Sequence, residues 1–209
     1  MLIDLFLHID KNLALVIAQY GIATYAILFA IIFMETGLVV TPFLPGDSLL
    51  FAAGALAAMG SFQILGLYAL LLVAAIAGDT VNYWIGSFLG REVFDGRSKW
   101  FKKAHLDQAE KFYEKHGGKA IVLARFVPIV RTFAPFVAGV SKMHYGNFIT
   151  YNILGGFAWV TAFLFGGYLF GNIPFVKENF HYVVVVIVII SVVPIIMEIW
   201  KAKVKGKVE

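Results

Sequence analysis

Four long stretches of this chain contain no charged residue, and they constrain its fold more than any other feature. These stretches are residues 12–34, 48–78, 143–176 and 182–197. A helix needs roughly 20 apolar residues to cross the ~30 Å hydrocarbon core of a bilayer, because each residue adds ~1.5 Å. Only 14% of the residues are charged, against about a quarter in a soluble domain. The sequence therefore predicts an all-α integral membrane protein.

Positive charge is concentrated in two segments, which predicts the topology. Residues 91–119 contain eight arginines and lysines, and residues 201–207 contain four lysines. The positive-inside rule assigns both segments, and so the C-terminus, to the cytoplasm of a multi-pass protein. The net charge of +4 then reflects topology and contact with anionic lipid, so no nucleic-acid partner is expected. The chain has no cysteine and no histidine spacing typical of a metal site, so neither a metal nor a cofactor is expected.

Two passages of the chain have the same order of features and predict an internal repeat. Each has a glycine at its start, an apolar limb, a charged residue, a turn containing proline, a second charged residue and a final Ala-Gly pair. The charged residues are Glu35 and Asp47 in the first passage, and Arg125 and Arg131 in the second. We therefore predict an interfacial helix, a re-entrant hairpin and a transmembrane helix, twice over, with one further transmembrane helix at the C-terminus.

The predicted boundaries divide a single membrane domain, residues 1–209. Residues 1–90 form the first repeat, with its hairpin at about 21–58. Residues 91–119 form a cytoplasmic amphipathic connector, residues 116–171 form the second hairpin and its helix, and residues 179–200 form the last transmembrane helix. The side of the membrane that holds the N-terminus is left open, because residues 22–40 are long enough to span the bilayer.

Prolines and one glycine are predicted to break the two hairpins. Proline lacks a backbone donor and its ring clashes with the preceding helical turn. The transmembrane helices on either side of the connector run in opposite directions, so the two hairpins enter from opposite faces. Broken helices that meet in an inverted repeat are the architecture of secondary transporters. The predicted breaks are Pro42, Pro45, Gly46, Pro128 and Pro135.

The four charged residues of the hairpins are the candidate site, since charges inside a membrane are costly and usually functional. Arg125 and Arg131 are predicted to bind an anion, because a guanidinium binds phosphate through paired hydrogen bonds. Glu35 and Asp47 are predicted to couple protons, because poor hydration favours the neutral acid whereas a nearby arginine favours the carboxylate. The alternative is that these four residues, whose charges cancel, form structural ion pairs.

Other residues are predicted to join helices or to assist the site. Asp79 and Asn82 lie three positions apart and share a helix face. They are either accessory proton or headgroup contacts or a polar clamp to a neighbouring helix. Trp159, like the other three tryptophans, is assigned to interfacial anchoring or packing. Five glycines are predicted to allow close approach of helices: Gly37, Gly54, Gly139, Gly155 and Gly156.

Three motifs resemble the DedA family, part of the VTT-domain or SNARE-associated Golgi protein superfamily. They are Glu35-Thr-Gly with Pro45-Gly-Asp47, Gly78-Asp79 with Asn82-Tyr83, and Arg125-Phe-Val-Pro-Ile-Val-Arg131-Thr with Ala138-Gly139. The likeness covers nearly the whole chain. It implies a bacterial cytoplasmic-membrane protein linked to flipping undecaprenyl phosphate or phosphatidylethanolamine and dependent on the proton motive force. Family roles carried to matching positions fall on Glu35, Asp47, Arg125 and Arg131.

The predicted function is a flippase, driven by the proton motive force, that supports envelope integrity. Its partners would be protons and an anionic or zwitterionic phospholipid or a polyprenyl phosphate. The alternatives are a proton or ion antiporter for envelope pH and osmotic homeostasis, or a membrane-assembly scaffold. An enzyme is not expected, because the chain lacks Gly-x-Ser-x-Gly and His-Glu-x-x-His motifs. A homo-oligomer is left open.

Overall fold

The described part of the chain is built from helices and turns, as the sequence predicts. The structure, a computed structural model, describes residues 9–38, 46–89, 111 and 114–178, and this part contains no strand. In chain order the helices are α1 (Ile9–Gly37), α2 (Gly46–Ala58), α3 (Ile64–Leu89), α4 (Ala120–Ala124), α5 (Pro128–Val140), α6 (Tyr145–Val160), α7 (Gly166–Gly171) and α8 (Pro174–Glu178). A 3-10 turn, Gly117–Lys119, precedes α4, and a π-helical turn, Thr161–Phe165, joins α6 to α7.

Several predicted features lie outside the described residues. They are the hairpin breaks at Pro42 and Pro45, most of the amphipathic connector 91–119, and the last transmembrane helix 179–200. The predicted interfacial helix at the N-terminus lies partly outside the described residues as well, because these begin at residue 9. These predictions stay predictions.

The chain divides into two compact units. Among the described residues, the larger unit comprises 25–38, 66–89, 111 and 114–162. The smaller unit comprises 9–24, 46–65 and 163–178.

Two helical segments are long and apolar enough to cross a membrane. They are Ile64–Leu89, with 26 residues, and Tyr145–Gly171, with 27 residues. At ~1.5 Å per residue both exceed the ~30 Å hydrocarbon core. Large apolar side chains such as Val73, Leu154 and Leu169 are exposed on them, as on a surface that faces lipid. Both segments coincide with predicted transmembrane helices.

Helix α1 runs without interruption through Gly21, where the sequence suggested that one element ends and the hairpin begins. No atom lies within 4 Å of a Cβ built at Gly21, so the glycine opens no contact there. A single interior glycine costs a helix only about 1 kcal/mol relative to alanine, and the surrounding alanine and leucine residues favour the helix. The glycine therefore marks no boundary.

Pro128 and Pro135 have different positions in the segment predicted to form the second hairpin. Pro128 is the first residue of α5, where the missing N–H is not needed. Val127 before it is extended, with φ −119° and ψ 104°, as the ring of a following proline requires. The prediction that Pro135 breaks the hairpin is wrong, because Pro135 lies inside α5. The helix loses one backbone hydrogen bond at Pro135 and continues.

In the smaller unit α2 crosses the Leu164–Gly171 segment at glycines. A Cβ built at Gly54 would lie 1.9 Å from the Leu164 carbonyl oxygen. A Cβ at Gly167 would lie 2.0 Å from the Phe51 carbonyl oxygen, and one at Gly171 would lie 2.8 Å from Ala55 Cα. Backbone therefore touches backbone, as small residues permit in membrane helices. We call this contact the smaller-unit crossing.

In the larger unit α3 and α5 form a crossing with the same register, which we call the larger-unit crossing. A Cβ at Gly139 would lie 2.0 Å from the Tyr83 carbonyl oxygen, and one at Gly86 would lie 2.2 Å from the Phe136 carbonyl oxygen. In both crossings a phenylalanine stands three residues before the glycine of the short helix. In both, the carbonyl oxygen that lies against the glycine of the short helix belongs to the long segment. It comes from the residue three positions before the glycine of that long segment.

Candidate functional site

Arg125 lies in the turn after α4 and forms one half of a buried ion pair. Its Nη2 atom donates to Asp79 Oδ2 at 2.5 Å and to Asn152 Oδ1 at 2.5 Å. The side chains of Arg125 and Asp79 are only 4% and 5% exposed. A carboxylate of α3 and an amide oxygen of α6 therefore hold this guanidinium away from solvent through charge-assisted hydrogen bonds.

Asn152 is itself held in orientation by α3. Its Nδ2 atom donates to the Ile76 carbonyl oxygen at 3.0 Å and to Thr80 Oγ1 at 3.4 Å. Because the amide nitrogen is engaged there, the amide oxygen faces Arg125, which carries only donors. The sequence analysis missed Asn152. The signal that could have found it is a buried amide in a long uncharged stretch, where each polar group needs a partner.

Two glycines of α6 make room for the Arg125 side chain. A Cβ built at Gly155 would lie 3.1 Å from Arg125 Cδ and Nε and 3.1 Å from Val122 Cα, and one at Gly156 would lie 3.7 Å from Arg125 Nη2. The Nε atom is buried and makes no hydrogen bond within the described part of the chain. The predicted close approach at Gly155 is confirmed, and it encloses the stem of Arg125 as well as the α4 backbone.

Arg131 and Glu35 form the second ion pair of the larger unit. Arg131 lies in the first turn of α5 and Glu35 in the last turn of α1, and Arg131 Nη2 contacts Glu35 Oε1. The Glu35 side chain is 1% exposed and the Arg131 side chain is 11% exposed. The structure therefore brings together one acid and one arginine from the two predicted hairpins, and leaves Arg131 more accessible than Arg125.

Trp159 of α6 contacts both guanidinium groups. The Cζ atoms of Arg125 and Arg131 lie 5.8 Å and 5.0 Å from the Trp159 ring centroid. Both distances are within the range of a cation–π interaction, and Trp159 is fully buried. The sequence assigned this residue to anchoring or packing, and no local signal distinguished it from the other tryptophans. Its role as a shared aromatic contact depends on the fold.

Asn82 joins the two charged segments to α3. Its Nδ2 atom donates to the carbonyl oxygens of Thr36, at 3.1 Å, and Thr132, at 2.7 Å. Thr36 adjoins Glu35, and Thr132 adjoins Arg131. Its Oδ1 atom makes no hydrogen bond with any described residue. These contacts are those of a polar clamp, one of the two interpretations that the sequence offered for Asn82.

Asp47 lies in the first turn of α2, directly after the predicted break Gly46, and is half-buried. It belongs to the smaller unit, whereas Arg125, Arg131 and Glu35 belong to the larger one. Its predicted proton-coupling role and its pairing with an arginine stay predictions. Within the larger unit the second acid of the cluster is Asp79.

The cluster in the larger unit thus joins two arginines, Arg125 and Arg131, to two carboxylates, Asp79 and Glu35, and their formal charges cancel. No group of three His, Cys, Asp or Glu side chains that could hold a metal ion occurs among residues 9–38, 46–89, 111 and 114–178. A guanidinium paired with a carboxylate in such surroundings can exchange that carboxylate for another oxyanion, such as phosphate. This exchange is the chemistry that the cluster supports.

Comparison with known proteins identifies the family. The VTT domain family matches residues 44–169. The chain is 54% identical to Protein DedA of Escherichia coli (strain K12), over 97% of this chain and 94% of that protein. The chain belongs to the DedA family. As a DedA-family protein it carries Glu35, Arg125 and Arg131 within the cluster described above.

Other relatives of this DedA-family chain are named as membrane proteins. It is 41% identical to an uncharacterized membrane protein of Mycobacterium tuberculosis (strain ATCC 25618 / H37Rv), over 84% of this chain and 78% of that protein. It is 36% identical to the inner membrane protein YghB of Escherichia coli (strain K12), over 80% of this chain and 77% of that protein. No solved structure matches significantly. These names support an inner-membrane location for the DedA-family chain.

Proposed function

We propose that this chain moves a phosphate-bearing lipid across the bacterial inner membrane, driven by protons, and that it is not an enzyme. The observation that carries the proposal is the Arg131–Glu35 pair, in which an arginine side chain that is 11% exposed contacts a glutamate side chain that is 1% exposed. Charged groups in membrane proteins are costly and usually mark a substrate or ion pathway. Undecaprenyl phosphate and phosphatidylethanolamine both present the phosphate that a guanidinium binds.

The proposed architecture is an inverted repeat with two re-entrant hairpins, in a multi-pass protein with a cytoplasmic C-terminus. The equal register of the two glycine crossings supports the repeat, since each pairs a short helix with a long helix in the same way. The short helices α2 and α5 have 13 residues each. At ~1.5 Å per residue such a helix reaches only about two thirds of the hydrocarbon thickness, as a re-entrant limb does.

Proton coupling follows from competition between two anions for one guanidinium. Ionised Glu35 and a lipid phosphate both bind Arg131, so each weakens the binding of the other. Protonation of Glu35 removes its charge and frees the guanidinium for phosphate. Proton binding and phosphate binding are therefore favourably linked, and a protein exposed to acid on one side would load lipid on that side.

The decisive experiment is transport in liposomes that contain the purified protein. Fluorescent phosphatidylethanolamine and undecaprenyl phosphate are tested side by side, with and without a pH gradient, and flipping is read by chemical quenching at the outer leaflet. We expect lipid movement that accelerates with the gradient, and gradient-independent or absent movement in Glu35→Gln. Correctly folded protein that moves neither lipid would exclude the proposal.

The same liposomes separate the proposal from an antiporter. An enclosed pH-sensitive dye and added Na⁺ or K⁺ report proton exchange in the absence of labelled lipid. Ion-dependent proton flux without lipid movement would assign the antiporter function instead. If the protein shows neither lipid movement nor proton exchange, and still folds with apolar residues at Glu35 and Arg131, the scaffold function is favoured.

A further inference from the structure

We propose that the two arginines have different roles: Arg131 binds the lipid phosphate, whereas Arg125 is a fixed counter-charge that Asp79 and Asn152 position. This inference rests on the proposed function, because it divides the work within that same anion site. It also assigns Asn152, which the sequence did not single out, as a positioning residue that acts through Arg125.

The contacts of Arg125 fix it from three directions. Asp79 on α3 and Asn152 on α6 each accept a hydrogen bond from Nη2 at 2.5 Å. The remaining side chain, including Nε, packs against Gly155, where even one added carbon would be at 3.1 Å. Movement toward a ligand would break both hydrogen bonds and leave the carboxylate of Asp79 buried without compensation, which is strongly unfavourable.

Arg131 is placed differently. Its side chain is 11% exposed, against 4% for Arg125, so a ligand has more access to it. Its guanidinium carbon is also the closer of the two to the Trp159 ring, at 5.0 Å. An aromatic face stabilises a cation without occupying its N–H donors in the ring plane. Trp159 can therefore support the Arg131 guanidinium when protonation of Glu35 releases it to bind phosphate, so that no buried carboxylate is left without compensation.

The first test compares two matched double variants in the liposome assay. Asp79→Asn with Arg125→Gln, and Glu35→Gln with Arg131→Gln, each remove one ion pair and leave neutral hydrogen-bonding groups. We expect the first to transport better than Arg125→Gln alone, because a buried pair replaced as a unit is often tolerated. We expect the second to lose transport. Arg125→Gln alone should lose more than about tenfold, because it leaves Asp79 uncompensated.

The role of Asn152 is tested by coupling. Asn152→Ala should reduce transport in the wild-type background and have no further effect in the Asp79→Asn, Arg125→Gln background, since its partner is then gone. Equal reductions in both backgrounds would mean that Asn152 acts elsewhere. That result would overturn its assignment as a positioning residue for Arg125.

A binding measurement covers the case in which a double variant fails to fold. Trp159 is kept as the single tryptophan, with phenylalanine at the other three positions, and its emission is followed as dihexanoyl phosphatidic acid is added in detergent. Arg125→Lys and Arg131→Lys both keep a cation for their carboxylate. The half-saturating concentration should rise about tenfold or more in Arg131→Lys, because lysine lacks the planar fork, and by clearly less in Arg125→Lys.

The outcomes distinguish failure of the proposed function from failure of the division of roles between Arg125 and Arg131. A wild-type protein that neither transports lipid nor responds to the phosphatidic acid would reject the proposed function, and the division of roles with it. A responsive wild-type protein in which the Arg125 and Arg131 variants lose binding or transport equally would leave the function standing. It would overturn the division of roles alone.

Discussion

The two glycine crossings share a framework but differ in what surrounds it. In the larger-unit crossing, Asn82 precedes Tyr83 and donates to backbone carbonyls beside both members of the Arg131–Glu35 pair. In the smaller-unit crossing the equivalent position, immediately before Leu164, is Phe163. Aromatic packing is common to both: Tyr83 stacks on Phe148 with ring centroids 4.4 Å apart, and Phe51 lies 5.4 Å from Phe170.

This difference shows that packing and chemistry are specified by separate residues. The glycines and carbonyls that set the helix contacts are the same in both units, whereas the polar cluster is found in one. Residue type at the flanking positions, and not the helix framework, therefore creates the site. The variants below test that separation, from the largest expected effect to the smallest.

Gly54→Ala and Gly139→Ala should be the most damaging changes, and about equally so. Each adds a Cβ at 1.9 or 2.0 Å from a backbone carbonyl oxygen, so whole helices must separate. We expect a loss of about 3 kcal/mol or more in stability, at the upper end for overpacking. Thermal unfolding in detergent, followed by size-exclusion chromatography, measures it. Gly21→Ala, with no atom within 4 Å, is the control. Tolerance of one glycine variant and not the other would show that the crossings are not equivalent.

Asn82→Leu should separate the crossings. It removes the donor to the Thr36 and Thr132 carbonyls and should cost roughly 2 kcal/mol, the penalty for buried acceptors left without a partner. Phe163→Leu, at the equivalent position, removes no hydrogen bond of this kind and should cost about 1 kcal/mol. The same unfolding assay compares them. Equal losses would argue against a special role for the polar clamp.

Gly155→Ala should affect transport more than stability. The added Cβ would be 3.1 Å from both the Arg125 side chain and Val122 Cα, so both must shift by a few tenths of an ångström, at a cost of about 1 kcal/mol. The shift disturbs the hydrogen bonds of Arg125, so lipid flipping should fall while most of the protein stays folded. An unchanged transport rate would mean that the position of Arg125 is not critical.

Gly166→Ala should have the smallest effect, and in the opposite direction. Its Cβ would meet only the Phe51 ring, at 4.0 Å, an ordinary contact. Alanine favours a helix over glycine by up to about 1 kcal/mol. We expect a slightly higher unfolding temperature and unchanged transport. A marked loss of stability would mean that the smaller-unit crossing is packed more tightly than its geometry indicates.

The sequence predicted the parts of the fold that depend on composition and local pattern. Uncharged stretches located the two segments long and apolar enough to span a membrane, Ile64–Leu89 and Tyr145–Gly171, because only apolar side chains are stable in hydrocarbon. Glycines predicted close helix contacts, and Gly37, Gly54, Gly139 and Gly155 confirm this. Proline was a weaker guide: Pro128 begins a helix, but Pro135 lies inside one. A helix can lose one hydrogen bond when its remaining contacts compensate.

The alignment of the repeat also needed the tertiary structure. By order of features, the sequence matched Asp47 with Arg131. In the packed crossings, Phe51 corresponds to Phe136. Asp47 lies four residues before Phe51, and Thr132 lies four residues before Phe136, so Asp47 corresponds to Thr132. One residue is about 100° around a helix. A shift of that size changes which side chains share a face, and order along the chain does not reveal it.

By itself, then, the sequence determined that this is a helical membrane protein. It also identified the few charged residues within the apolar segments as the candidate site. Hydrophobicity and residue type act locally, and they can be read one segment at a time. Only the tertiary structure decided that Arg125 pairs with Asp79 and Asn152, that Arg131 pairs with Glu35, and that Trp159 contacts both arginines. These partners are far apart along the chain, and they meet because helices separated in sequence pack at glycines.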